Sequence, residues 1–394
     1  YTLGRSSAAS DVYKRQPLPS PRPLLRADHH EPPTITTRKA NDMDVNEQKL
    51  NEFMGSLLGD LGGATTVLMV CLGDELGLYE AMDGAGPMSA ASLAERTGCH
   101  ERLLQEWLDQ QTAAGYVACD VTTGSYSLPP EQAMALARRQ SPVFVASGMF
   151  VTAALFQGLA KAAEAFRGNG ALAWGDHSDL LFRGTAEFFR PGYQHHLASD
   201  WIPALDGVAD VLAAGGRVAD VGCGHGISSV VIAQAFDRVE VHGFDYHPPS
   251  IDVAREGADI AGVSDRVHFH VADAAAYHGE FDLVCFFDCL HDMGDPVGIA
   301  THTMQQLKPG GTVMLVEPFA HDDKAVNHTL PTAKILYGAS AVLCTPNSLS
   351  QPVGRAMGTQ SGEHGMAAVF DEAGYSHFRR VAETPFNIIY EARI

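Results

Sequence analysis

Three glycines at alternate positions, Gly222, Gly224 and Gly226, follow Asp220 in the stretch Arg217-Val218-Ala219-Asp220-Val221-Gly222-Cys223-Gly224-His225-Gly226-Ile227. Glycine lets a backbone turn tightly and come close to a ligand where a Cβ would collide. Val218, Ala219 and Val221 read as a buried parallel strand, and Ser228 to Phe236 reads as a helix. Strand, glycine turn and helix in that order is where an α/β sheet holds an adenosine-containing ligand. The dinucleotide fingerprint G-x-G-x-x-G would need glycine at 227, and Ile227 stands there. Such a turn can also be only a turn. Asp245 ends the next apolar run, Val239 to Phe244, about 20 residues past the turn, where a carboxylate can take both hydroxyls of a ribose. Its other reading is a cap for a helix starting near Pro248. His291 lies just beyond the apolar run Phe281 to Phe287. An imidazole suits proton transfer near neutral pH, or it simply bonds a loop carbonyl while Asp292 caps the following helix. Asp295 with Pro296 reads as an N-cap and first helical residue. His195-His196 and His321 beside Asp322-Asp323 lack converging ligand spacing, so no metal is expected.

The elements that must position these residues follow in a regular order. Val267 to Val271 reads as a third strand, Phe281 to Phe287 as a fourth, and Thr312 to Glu317 as a fifth after the turn Lys308-Pro309-Gly310-Gly311. Ser376 to Ala382 and Phe386 to Arg393 supply two further strands for a closing antiparallel pair. Upstream, Leu50, Phe53, Met54, Leu57, Leu58 and Leu61 recur at helical spacing, continued by Val67 to Leu78. Ser89 to Gly98 and Glu101 to Ala114 predict two helices, and Tyr116 to Asp120 with Gly124 to Leu128 a hairpin. Helix, turn, helix and hairpin resemble a winged helix. The intervening stretch from Phe144 to Leu205 is helical and rich in aromatics, which are mostly packing residues. Its place between two domains makes Phe188, Phe189 and Tyr193 candidates for lining a substrate pocket.

Taken together, Asp220-x-Gly222-x-Gly224-x-Gly226, Asp245, Asp273, Leu290-His291-Asp292, Lys308 to Gly311 and Val316-Glu317 resemble the class I S-adenosylmethionine (SAM)-dependent methyltransferases in order and spacing. The closing strands extend that resemblance to residue 394, and the winged-helix front end is similar to that of two-domain small-molecule O-methyltransferases. Gly338 to Gly362, with Cys344-Thr345-Pro346-Asn347-Ser348-Leu349-Ser350, looks like a bacterial subgroup. Plant-type O-methyltransferases usually carry Trp after the His-Asp pair, where this chain has Met293. The resemblance implies an α/β fold: a Rossmann-like, seven-stranded methyltransferase domain preceded by a mostly helical winged-helix domain. It implies SAM as cofactor, bound by Asp220, Gly222, Gly224, Gly226, Asp245, Asp273, Ala274 and Asp288, with Asp273 taking the adenine amino group. It also implies His291 as general base, Glu317 as the carboxylate that orients it, and a small-molecule acceptor methylated at a hydroxyl oxygen. Tyr337, in a helical insertion over residues 318–365, is a further substrate candidate. The expected domains are a disordered or non-native segment 1–42, a winged helix 43–144, a helical linker 145–205 and the methyltransferase domain 206–394.

Composition narrows the alternatives. The net charge of −20 would repel nucleic acid and anionic membrane surfaces. Over residues 56–135 only Arg96 and Arg102 stand against eleven Asp and Glu, too few cations to hold DNA phosphates. The winged helix then reads as a dimerisation and pocket-lid module, giving a homodimer, rather than as a regulatory DNA reader. No nucleic-acid partner is expected, and no membrane partner, because no unbroken apolar run approaches the ~20 residues of a bilayer span. Seven cysteines without a C-x-x-C pair point to reduced thiols in the cytoplasm. An NAD-dependent oxidoreductase is disfavoured by Ile227. A SAM-binding protein without catalytic activity is the remaining alternative.

Overall fold

The computed structural model describes residues 45–394, so the expected disorder of residues 1–42 lies outside the described residues. The helical spacing of Leu50 to Leu61 does give a helix, Glu47–Glu75, but those apolar side chains are exposed. Among the described residues this helix is long and apolar enough, on average, to cross a membrane. The reading of unbroken runs did not anticipate it, because Asp60 and several small residues interrupt the apolar series. Its later turns pack on the winged helix: Trp107 Nε1 donates to the Met69 carbonyl at 2.9 Å and Gln110 Nε2 to Thr66 Oγ1 at 2.9 Å.

The winged helix forms as its capping residues dictate. Ser89 Oγ accepts from the Ser92 backbone N–H at 3.1 Å and starts the helix Ala90–Thr97, which Gly98 ends in the left-handed region. The helix Glu101–Ala113 follows, then an antiparallel pair, β1 (Ala118–Asp120) and β2 (Ser125–Ser127). Leu93, Trp107 and Leu108 are buried in one core with Tyr79 and Tyr126, each apolar side chain contributing about 1.5–3 kcal/mol. The linker is helical as expected. Its helix Asp179–Gly192 contains Pro191 and runs into a π-helical stretch, Tyr193–Trp201, that buries Tyr193, Leu197 and Trp201.

The remaining strands are β3 (Arg217–Val221), β4 (Glu240–Asp245), β5 (Val267–Val271), β6 (Phe281–Phe287), β7 (Leu307–Pro318), β8 (His377–Glu383) and β9 (Asn387–Arg393). They form one seven-stranded sheet in the order β5-β4-β3-β6-β7-β9-β8, parallel except that β9 runs antiparallel to both neighbours. Alternate side chains feed opposite cores: Leu283, Cys285 and Phe287 join one, Val284 and Phe286 the other. The expected turn Lys308 to Gly311 is absorbed into the start of β7. Pairing with β6 jumps from Phe281↔Leu307 to Leu283↔Thr312, so these residues form an irregularity within the strand span rather than a separate turn. Lys308 Nζ meets Asp282 Oδ2 there at 2.7 Å. The insertion 318–365 is largely helical and includes Ser340–Cys344 and Thr345–Leu349.

Candidate active site

The parallel order reverses direction at β3, and the loops beyond the strand ends there enclose a cavity. Asp220, at the end of β3, is fully buried and lies behind the cavity wall. Its Oδ2 accepts from Ser228 Oγ and Ser229 Oγ, both at 2.6 Å, tying the strand to the first turn of the helix Ile227–Ala235. Burial outweighs those bonds and pushes its carboxyl up to about 6. The three glycines all take positive φ: 78° at Gly222, 53° at Gly224 and 71° at Gly226. A Cβ at Gly226 would strike the Phe269 ring and Ala254, and one at Gly222 would lie 2.9 Å from Cys289 Sγ. A Cβ at Gly224 would meet nothing within 4 Å, and Gly224 forms part of the cavity wall. Gly226 is therefore required by packing within the protein, and Gly224 is the glycine that faces open space.

Asp245 does not cap the following helix, whose N-cap is His247 without a side-chain bond. Its Oδ1 accepts from the His247 N–H at 2.8 Å, just before the helix Pro248–Ala261, and its Oδ2 from the Gly224 N–H at 3.0 Å. The carboxylate also lines the cavity. Burial raises it above the ordinary carboxylate value, although the two backbone N–H groups oppose that rise. Asp273 and Ala274, past β5, line the same cavity with Phe244, Met293 and Ile299. Asp273 Oδ1 accepts from the Ala275 N–H at 2.7 Å.

Asp288, past β6, is a non-glycine residue at φ 50°. Asn387 Nδ2 donates to its Oδ1 at 2.7 Å, while its Oδ2 is buried and has no hydrogen-bond partner. Burial, then the nearby Glu317, push this carboxyl well above its ordinary value. Asp245 and Asp288 on the cavity wall, beside an open glycine turn, fit a ligand carrying diol hydroxyls, as SAM does.

The other side of the cavity is assembled from separate segments. Phe189 and Tyr193 line it, stacked at 6.1 Å, with Trp174 and Phe287. Phe188 instead packs edge-on against Phe189 and Phe386 and lies off the wall, and Tyr337 packs against His328, also off the wall. His291 is 2% exposed and does not line the cavity, whereas its neighbour Asp292 does. The Glu317 carboxylate accepts from both the His291 N–H, at 3.3 Å, and Nδ1. His291 Nε2 lies 3.0 Å from Asp292 Oδ1. That contact is off the hydrogen-bonding direction, so Oδ1 stays buried without a hydrogen bond. Burial alone would lower the imidazole, but the carboxylates of Glu317 and Asp292 outweigh it and hold it well above 6.5. Asn347 Nδ2 and Gln351 Nε2 both donate to the Asp292 carbonyl at 3.2 Å, and Ser348 Oγ to the Met293 carbonyl at 2.9 Å. Asn347 Oδ1 accepts from the Trp174 N–H at 2.9 Å. Trp174, His225, Asn347 and Gln351 carried no role in the sequence reading; the quoted segment Cys344 to Ser350 was the one signal near two of them.

Residues 193–355 match the family model of a methyltransferase domain, and residues 64–138 that of an Rv2258c-like winged helix-turn-helix domain. The chain carries a methyltransferase domain behind a winged helix. This chain is 36% identical over 143 residues to a ubiquinone biosynthesis O-methyltransferase of Aromatoleum aromaticum, covering 34% of this chain and 57% of that one. It is 32% identical over 147 residues to the 27-O-demethylrifamycin SV methyltransferase of Amycolatopsis mediterranei, covering 35% of this chain and 54% of that one. The chain thus spans about half the length of these curated relatives, and 24% of an uncharacterized Synechococcus protein. Solved structures share the whole two-domain fold. The mitomycin 7-O-methyltransferase MmcR has a TM-score of 0.63 at 20% identity, over 89% of this chain and 100% of that one. PigF with SAH has a TM-score of 0.65 at 17% identity, over 89% and 99%.

Proposed function

We propose that this protein transfers a methyl group from SAM to a small-molecule acceptor, at a hydroxyl oxygen. The observation that carries this reading is one cavity wall holding the open Gly224 together with Asp245 and Asp288. The relatives named as O-methyltransferases support oxygen as the acceptor atom.

When bound, SAM supplies a methyl already activated on a sulfonium. The protein's task is to bind, align and keep water out. Gly222 and Gly224 let the backbone approach, Asp245 receives the ribose hydroxyls, and Asp273 sits at the mostly apolar end formed by Ala274, Met293 and Ile299. Phe189, Tyr193 and Trp174 shield the acceptor side from water. Asp292, on the wall, is the first carboxylate an acceptor hydroxyl would meet, and His291 behind it is the general base once neutral. We further propose a cytoplasmic homodimer. The seven unpaired cysteines and the exposed apolar residues of Glu47–Glu75 support it.

Thermal unfolding with SAM, S-adenosylhomocysteine or NAD tests the cofactor reading. A ligand of the folded state at 100 times its Kd stabilises by ~2.7 kcal/mol. The adenosyl ligands should shift the wild type and fail to shift Asp245→Ala. A shift with NAD alone would overturn the proposal.

A further inference from the structure

The turn Leu290–Asp292 and the helical insertion bring together three donor atoms of different chemistry. A ring nitrogen of His291, a carboxylate oxygen of Asp292 and Sγ of Cys344 all lie within 4.8 Å of one another. Cys344 is buried and unpaired. Asp292 Oδ1 is buried without a hydrogen bond, although it lies 3.0 Å from His291 Nε2. Glu317 occupies the other ring nitrogen, Nδ1, so Nε2 is the nitrogen that faces the cluster. The expectation of no metal rested on ligand spacing along the chain, and Cys344 is too far from His291 in sequence for spacing to show it.

We infer that His291, Asp292 and Cys344 form a binding site for a borderline divalent transition-metal ion, with Zn²⁺ the best match. A nitrogen, an oxygen and a sulfur exclude Mg²⁺ and Ca²⁺, which take oxygen ligands. Tetrahedral zinc bond lengths place neighbouring ligand atoms about 3.3–3.6 Å apart, so the cluster reaches coordination with small side-chain movements. Glu317 on Nδ1 completes a carboxylate–histidine pair of the kind that orients metal-ligating imidazoles. Asn347, Ser348 and Gln351 fasten the insertion to the turn through the Asp292 and Met293 carbonyls, which fixes the approach of Cys344. Three protein ligands leave a fourth position, and Asp292 places the site at the cavity edge.

Coordination needs Nε2 without a proton and Sγ as thiolate, so any proton either group carries leaves to solvent on loading, and no electron moves. A ligated Nε2 cannot accept a proton, so metal occupancy and general-base use of His291 exclude each other. The binding inference itself stands apart from the methyl-transfer reading.

The test uses the full chain, stripped with a chelator and titrated with Co²⁺, then Zn²⁺. One equivalent of Co²⁺ should give a near-ultraviolet thiolate-to-cobalt band and the intense visible bands of tetrahedral cobalt, and Zn²⁺ should bleach both. Cys344→Ser should lose the thiolate band. Glu317→Gln should weaken affinity about 10–100-fold by freeing the imidazole. Should Cys344→Ser not fold, X-ray absorption of the wild-type zinc form decides, through a single sulfur neighbour at about 2.3 Å. No thiolate band, one that survives in folded Cys344→Ser, or no sulfur neighbour overturns the site. S-adenosylhomocysteine stabilisation of the same sample reports separately on the cofactor reading.

Discussion

The two sides of the cavity are built in different ways. The glycine-turn side joins the ends of two neighbouring strands through backbone donors: Gly222 and Cys223 donate to the Phe244 carbonyl at 2.8 and 3.1 Å, and Gly224 to the Asp245 carboxylate at 3.0 Å. The acceptor side is held by side chains from distant segments, with Trp174, His291, Glu317, Cys344, Asn347 and Gln351 converging on one short turn. Backbone geometry makes the first side rigid and tolerant of few residue types.

The largest effects should come from breaking the glycine side, and two neighbouring glycines should break it differently. Gly226→Ala places a Cβ against the Phe269 ring and Ala254 at φ 71°, and should cost about 2–4 kcal/mol from overpacking and left-handed strain together. Gly224→Ala at φ 53° meets no protein atom within 4 Å. It should cost only about 1–2 kcal/mol of stability yet remove most of the S-adenosylhomocysteine stabilisation. Denaturant unfolding with and without the ligand separates the two. Equal stability losses would show that the turn does not divide into an inner and an outer glycine.

A smaller effect belongs to the acceptor side. Asn347→Ala removes the bonds to the Asp292 carbonyl and the Trp174 N–H, at a cost of about 1–3 kcal/mol. The KM for the acceptor should rise while SAM affinity stays near wild type. A matching loss of SAM affinity would mean that the two sides are one mechanical unit.

This contrast also explains what could be read from the sequence. β6 occupies the run Phe281 to Phe287 that its apolar pattern marks, because a buried central strand is apolar on both faces, whereas β5, at the sheet edge, was marked by Val267, Phe269 and Val271 alternating with His268 and His270. Ser89 and Gly98 cap their helix because capping is a local matter. His291 was legible as a residue but not as an environment: burial between two carboxylates depends on where β7 and the insertion come to rest. Phe188 and Tyr337 shared composition with the lining residues yet turned away, since an aromatic stripe does not state which ring faces the cavity. Asn347 and Gln351 are ordinary polar residues until the fold brings them to the Asp292 carbonyl.

The mildest prediction concerns the charge stored behind Asp292. Facing His291 are Glu317 from β7, Asp292 from its own turn, Cys344 from the insertion and the nearby Asp288. Burial pushes Cys344 up to about 12, so the thiol stays neutral across the working range. Burial opposes the imidazolium, but the two carboxylates win, and the folded-state value lies well above 6.5. The folded protein then holds a proton that the unfolded chain releases. This contribution to stability is fully present below about pH 6.5 and is lost as pH rises through the folded value. His291→Gln keeps a donor beside Glu317 but cannot titrate, so the stability difference between wild type and variant should narrow from neutral to alkaline pH. Thermal melts of both proteins across that range, in chelator, measure it. A difference that widened with pH would mean that His291 is buried neutral and stores no charge.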